Sequence, residues 1–253
     1  MAIFDGNAPP LKKLITYLYR FNVGFIYILF WPLLFYFSRK QQRYASMNKM
    51  RSLWGYLSSL FAGITYHFEF EEPVDWCKTY VVCPNHTSNL DITAVSILLK
   101  KTNYSFMGKV QLLDGFVTGL FFRTVDIPVN RESRMSAFRA FKNAAERLEN
   151  GMNMAIFPEG TISGNYPPQL QEFKNGPFKL AIEMKIPIIP ITSLDIWRVL
   201  WDDGLVHGTK PGVCHLFVHK PIETAHLTID DADKLRRQVH AIIKKKLEEH
   251  DHR

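Results

Sequence analysis

The stretch "TYVVCPNHTSNLDITAVSILL", residues 79–99, passes from an unbroken apolar run through a turn into a segment of helical spacing. A short apolar run bounded by Pro84 and Asn85 reads as a strand. Ser88 to Asp91 fits a capping box, with Ser88 as N-cap and a carboxylate three residues later returning to the cap backbone. A strand that runs through a short turn into a capped helix is the repeating unit of an α/β fold.

The same alternation continues outward from about Thr65. Candidate strands are "TYHFEFE" from Thr65, "TYVVCP" from Thr79, "YSFMG" from Tyr104, "TVDIPV" from Thr124, "MNMAIFPE" from Met152, "PIIPIT" from Pro187 and "VCHLFVH" from Val213. Candidate helices begin near Leu90, Leu112, Ser133, Lys174 and Asp231. The last of these places Leu235, Val239, Ile242, Ile243 and Leu247 on one face, and its opening acids suit the helix dipole. These elements predict a mixed, mostly parallel sheet flanked by helices over residues 65–253. No internal repeat or low-complexity linker divides that region.

Residues 1–64 read differently. Phe21 to Phe37, "FNVGFIYILFWPLLFYF", carries no charge, while Lys12, Lys13 and Arg20 precede it and Arg39, Lys40 and Arg43 follow. Bulky aromatics where small residues should stand exclude a cleavable signal peptide. As a helix the 17 residues rise roughly 26 Å, a little short of the ~30 Å hydrocarbon core, and Pro32 is expected to bend it. Basic residues at both ends suit a segment whose two ends stay on the cytoplasmic side. A second helix is expected from Leu53, Trp54, Leu57, Leu60, Phe61 and Ile64. Together the two read as a hairpin associating with one leaflet, Trp31 and Trp54 lying at headgroup depth; the alternative is a pair of core helices in a soluble protein.

The whole chain has 253 residues, 47% hydrophobic, with a net charge of +7. Apolar and basic together fit an anionic surface. Lipid suits it better than nucleic acid, since no helix-turn-helix, zinc-finger or RNP pattern occurs. Cys77, Cys83 and Cys214 form no CxxC, so neither a disulfide framework nor a zinc site is indicated, and a reducing cytosolic face is expected.

Capping explains Ser88 and Asp91 without chemistry, but it does not explain His86. That residue stands in the turn after a strand, at the sheet edge where α/β proteins bind ligands. Five residues separate it from Asp91, so the carboxylate can return to one ring nitrogen and leave the other as a general base. No GxSxG elbow supplies a nucleophile, and Cys83 is placed to point into the core. Direct attack by a substrate hydroxyl on an activated acyl group, without an acyl-enzyme, follows. A serine or cysteine lipid hydrolase and an inactive membrane scaffold are the rival classes. A second turn, "AIFPEGTIS" at 155–163, offers the carboxylate of Glu159, close backbone approach at Gly160 and the Thr161 hydroxyl, with amides that suit a phosphate or an oxyanion. In "DIPVNRESR", residues 126–134, Arg131 and Arg134 follow a strand; Arg131 can clamp a phosphate, and Arg134 reads as surface charge.

The ordered set "NHTSNLD", "GKVQLLDGFVTGLFFRTVDIPVNR", "FPEGT" and "FKNGPFKLAIEMKIPIIPIT" resembles the four blocks of the glycerolipid acyltransferases of the lysophosphatidate (1-acylglycerol-3-phosphate) acyltransferase type, over about residues 80–193. The resemblance implies a glycerol-phosphate acyltransferase-like fold. It also implies acyl transfer from acyl-CoA or acyl carrier protein to the free hydroxyl of a lysophospholipid, giving phosphatidate at the cytoplasmic face of the inner (plasma) membrane. No metal or redox cofactor is expected. Residue by residue, it makes His86 the base and Asp91 its orienting carboxylate. It places Lys109 and Arg131 at the phosphate, and Glu159, Gly160 and Thr161 along the acceptor site, and Pro190 matches the proline of the fourth block. Gln111 stands where glutamate is usual, Asn130 where aspartate is common, and Ile162 where arginine is frequent. The last departure leaves room for another lysolipid acceptor, such as a lyso-aminolipid, or for transacylation between phospholipids.

Overall fold

The computed structural model describes residues 8–252. Two helices come first, α1 (Pro10–Ser38) and α2 (Tyr44–Leu60). They are followed by β1 (Ile64–Phe70), β2 (Val81–Pro84), α3 (Leu90–Leu98), β3 (Tyr104–Lys109), α4 (Thr118–Phe122), β4 (Ile127–Val129), α5 (Arg134–Glu149) and β5 (Asn153–Ile156). The chain ends with α6 (Gly176–Met184), β6 (Ile188–Ser193), α7 (Ile196–Val199), β7 (Gly212–Val218) and α8 (Ala232–Asp251). One seven-stranded sheet results, in the order β1-β7-β6-β2-β5-β3-β4. The strands β6, β2, β5, β3 and β4 run parallel, β7 pairs antiparallel with β6, and β1 lies parallel to β7.

The sheet is mixed and mostly parallel, as the alternation predicts, and each of the seven expected strands is present. Period-two alternation sends Val82 to one face and Val81 and Cys83 to the other, which is why central β2 is apolar throughout. The first face packs on α3 and α7 through Leu90, Ala94, Val95, Ile196 and Val199. The second packs on α5, α6 and α8 through Ala144, Phe178, Leu180, Leu235 and Val239.

Three local expectations need correction. The helix expected near Leu112 is a 3-10 turn, Val110–Asp114, followed by short α4, because the backbone is extended at Gly115 and Thr118 Oγ1 donates to the freed Leu112 carbonyl at 2.7 Å. The Ser88 hydroxyl accepts from Leu90 N at 3.0 Å, one residue short of a full capping box, although the carboxylate arm is present. Ile64 opens β1 and does not extend the second helix.

Helix α1 continues through Pro32 and is long and apolar enough to cross a membrane. Its polarity is inverted. Thr16, Asn22 and Ser38 are buried, while Leu14, Tyr17, Phe21, Phe25, Leu29 and Trp31 are exposed. Helix α2 repeats the pattern, with Leu53, Tyr56 and Leu60 outward and Asn48, Arg51, Ser52 and Ser59 inward. Most of the inward polar groups are hydrogen-bonded, Asn22 Nδ2 and Arg51 Nε being the exceptions. Trp54 Nε1 donates to the Val23 carbonyl (3.0 Å) and joins the two helices. Asn48 Nδ2 donates to the Tyr104 carbonyl (2.7 Å), Ser52 Oγ to the Ser96 carbonyl (2.6 Å), and Arg51 NH1 to Asp126 Oδ2 (2.7 Å).

The Arg51–Asp126 pair is buried, and the guanidinium lies 4.6 Å from the ring centroid of Tyr104 and 5.0 Å from that of Phe121. Removing one member of such a pair strands the other charge away from water. Asp126→Ala is therefore expected to lose about 3 kcal/mol or more of unfolding free energy, read by chemical denaturation in detergent micelles. A loss below about 1 kcal/mol would mean that water reaches the joint.

Candidate active site

Five parallel strands end at one rim of the sheet. His86 follows β2, Lys109 closes β3, Arg131 follows β4, Glu159 follows β5 and Ser193 closes β6. The turn after β2 is organised around Asp91, whose side chain is fully buried. Asp91 Oδ2 accepts from Thr87 N (2.6 Å), Ser88 N (2.8 Å) and His86 Nδ1 (3.0 Å), and Oδ1 accepts from Ser193 Oγ (2.7 Å). Four donors converging on one carboxyl make the environment of a carboxylate. With the hydrogen on Nδ1 facing Asp91, the His86 lone pair lies on Nε2, which has no hydrogen-bond partner among the described residues. Phe157 stacks on the imidazole at 4.1 Å and 26° and fixes its plane. Asn85 locks the turn to β6: its Oδ1 accepts from Ser193 N (2.7 Å) and its Nδ2 donates to the Ser193 carbonyl (3.2 Å).

The second turn reaches this one from β5. Glu159 Oε1 accepts from His86 N (2.6 Å), and Oε2 accepts from Gln171 N (2.7 Å). The Arg131 guanidinium donates to the Gly160 carbonyl, and Lys109 Nζ to Thr161 Oγ1 at 3.4 Å. Gly160 has φ +77°, a left-handed conformation that favours glycine, with the guanidinium end of Arg131 close by. Thus the structure brings His86, Asp91, Lys109, Arg131, Glu159, Gly160 and Thr161 together, although the outermost pair, His86 and Thr161, are 75 positions apart. Half-burial of Arg131 lowers its pKa from the ordinary guanidinium value. Among the described residues no His, Cys, Asp and Glu side chains group as metal ligands.

The acyltransferase family profile matches residues 65–194, more than half of the chain and the whole of this rim. The chain belongs to the acyltransferase family. An uncharacterized acyltransferase of Schizosaccharomyces pombe is 29% identical over 197 residues, 77% of this chain and 70% of that protein. The 1-acyl-sn-glycerol-3-phosphate acyltransferase of Haemophilus influenzae is 28% identical over 172 residues, 66% of this chain and 68% of that one. The fold matches the crystal structure of the 1-acyl-sn-glycerophosphate acyltransferase PlsC of Thermotoga maritima with a TM-score of 0.74 at 22% identity, covering 95% of this chain and 96% of that one.

Beside the rim this acyltransferase has an apolar cavity of about 310 Å³ between α5 and α6, lined by Ala137, Phe141, Ile156, Phe157 and Leu180, with Arg131 and Lys174 also in its wall. A mostly apolar cleft with a few polar groups is the usual form of a small-ligand site. Cys83, the nearest thiol in sequence, is buried and its pKa is raised by that burial, so it is inert as a nucleophile. Ser193 and Phe157 were not legible as site residues. The available signal was that Ser193 directly follows the apolar run "PIIPIT", at the same sheet edge as His86.

Glu159 is 4% exposed, and burial pushes its carboxyl from 4.5 up to about 7, against the lowering effect of the Gln171 and His86 amides. The folded chain therefore holds a proton that the unfolded chain releases near 4.5, and stability falls as pH rises from about 4.5 to about 7. Glu159→Gln lacks this slope. Between those limits the unfolding free energy of wild type is expected to fall relative to the variant by about 3 kcal/mol. Denaturation curves at a series of pH values test it, and parallel pH dependences would refute it.

Proposed function

We propose that this acyltransferase moves an acyl chain from acyl-CoA or acyl carrier protein to the free hydroxyl of 1-acyl-sn-glycerol-3-phosphate, giving phosphatidate in phospholipid biosynthesis. The observation that carries the reading is the His86–Asp91 pair with Nε2 unpaired, on the same rim as two cations and an apolar cavity. In this reading Nε2 takes the proton of the acceptor hydroxyl as its oxygen attacks the thioester carbonyl. Asp91 stabilises the imidazolium. The C–S bond then breaks and the thiolate leaves with the proton that His86 returns, so no acyl-enzyme forms. Arg131 and Lys109 hold the phosphate against the 159–161 turn. The chemistry asks for no metal or redox cofactor, because every proton and electron pair moves between substrates and His86.

The outward apolar faces of α1 and α2 support association with the cytoplasmic face of the inner membrane, residues 1–64 forming the membrane unit and 65–253 the catalytic one. Basic residues at both ends of α1 each contribute on the order of 1 kcal/mol toward anionic lipid. The names of the Haemophilus and Thermotoga relatives support the acceptor. Ile162, where arginine is frequent in the resembling family, favours a second reading with a different lysolipid as acceptor. Purified protein assayed with radiolabelled acyl-CoA and acyl carrier protein against a panel of lysolipids decides between them. Absence of turnover with lysophosphatidate would overturn the primary reading.

A further inference from the structure

The segment between α7 and β7 touches both the catalytic turn and the first turns of α1. At its start, Asn89 N donates to the Asp202 carbonyl at 3.0 Å, and Ser88 and Asp202 form a parallel bridge. Asp202 is held at φ +50°, an uncommon conformation for a residue with a Cβ, of the kind that collects at functional sites. Its carboxyl is raised by burial and by Asp203, while His86 and Lys109 pull it the other way. Beyond it the chain lies along α1. Thr16 Oγ1 donates to the Gly204 carbonyl (3.3 Å), Thr209 N donates to the Lys12 carbonyl (3.2 Å), and Arg20 pairs with Asp203 (3.8 Å).

Lys12, Thr16 and Arg20 form an i, i+4 row, and the exposed apolar row Leu14, Tyr17, Leu18 and Phe21 lies on the same turns of the helix. Leu205 and Val206 of this loop are 52% and 47% exposed. In the same loop His207 stacks on Tyr166 at 3.7 Å and meets Trp201 at 5.1 Å. Aromatic rings with one polar end beside exposed apolar side chains and a cation are the composition of a membrane–water interface.

We propose that the 203–207 loop is a second lipid-contacting element, seated in the same phospholipid surface as α1 and forming one wall of the path by which the lipid acceptor reaches His86. The proposal rests on the membrane association put forward above and adds to it a second point of contact beside the catalytic turn. The loop is assigned to the acceptor because it joins the turn that carries His86 to the helix that the membrane reading places in lipid.

Cys83 and Cys214 are buried, so a Cys77→Ser background with Leu205→Cys takes a single environment-sensitive dye, and Leu14→Cys provides the matching site on α1. Each labelled full-length protein is mixed with phosphatidylglycerol/phosphatidylcholine vesicles carrying doxyl spin labels. The dye at 205 is expected to shift to the blue and lose about half its intensity, as an interfacial side chain does. Quenching at 14 without quenching at 205 overturns the loop contact and leaves the membrane reading standing. Quenching at neither overturns both. In the acyl-transfer assay, Leu205→Ser/Val206→Ser is expected to raise KM for vesicle-embedded lysophosphatidate about tenfold, leaving kcat/KM for a short-chain, freely dissolved lysophosphatidate within about twofold. An equal loss on both substrates would assign the loop to catalysis or folding and overturn the proposal.

Discussion

His86→Ala is expected to lower kcat for acyl transfer by about 10² to 10⁴, the range a positioned general base supplies, with little change in thermal stability. The turn does not depend on the ring. Its amides are held by Glu159 at His86 N and by Asp91 at Thr87 and Ser88 N, and these bonds survive the substitution. What is lost is the base at Nε2 and the stack on Phe157. Single-turnover transfer from radiolabelled acyl-CoA, paired with a melting curve, measures both quantities. A variant that keeps full kcat would remove the imidazole from the mechanism.

Asp91→Asn is the harder test because the same carboxylate serves the fold and the base. An asparagine oxygen can still accept from Thr87 N and Ser88 N, and its amide can face Ser193 Oγ, which turns to accept. The cap therefore survives at a cost of about 1 kcal/mol. The oxygen left at the Oδ2 position can still accept from His86 Nδ1, but the negative charge that stabilises the imidazolium does not survive. The rate is expected to fall by about 10² to 10⁴, several times the effect that a lost cap explains. Ser88→Ala separates the roles. It frees only the Leu90 amide, so it should cost about 1 kcal/mol of stability and leave kcat within a few-fold. If Asp91→Asn and Ser88→Ala slow transfer equally, Asp91 acts through the helix start and not through His86.

The strands were legible because each is a short apolar run closed by Pro, Gly, Asn or charge, and because buried parallel strands tolerate few polar residues. Legibility failed where structure depends on partners distant in sequence. Helix α7 is one turn long and carries no period to detect. Glu159 shows how this limits a site. Its sequence context reads as a turn residue facing substrate, yet in the fold each carboxyl oxygen is occupied by a backbone amide, one of them 73 positions upstream. Ser193 becomes a partner of Asp91 only once β6 and β2 are in register, Cys83 opposite Pro190 and Pro84 opposite Ile191. The His86–Asp91 pair was legible because five residues of one turn hold both groups. The apolar helices were legible as a composition, but the polar faces they turn inward were not, since Asn48, Arg51 and Ser52 show their purpose only against Tyr104, Asp126 and Ser96.

The buried Arg51–Asp126 joint has a consequence for which lipids can react. A helix pair fastened to the sheet by an ion pair without access to water cannot swing on it, because opening the joint would leave a charge stranded. The pair acts as a keel and not as a tether. Under the membrane association proposed above, with its apolar side sunk in a leaflet, it would hold the catalytic rim at one fixed altitude above the midplane. In that reading acceptors would be sorted by depth as well as by headgroup: the hydroxyl that meets His86 would be the one whose own acyl chain lets it rise to that level.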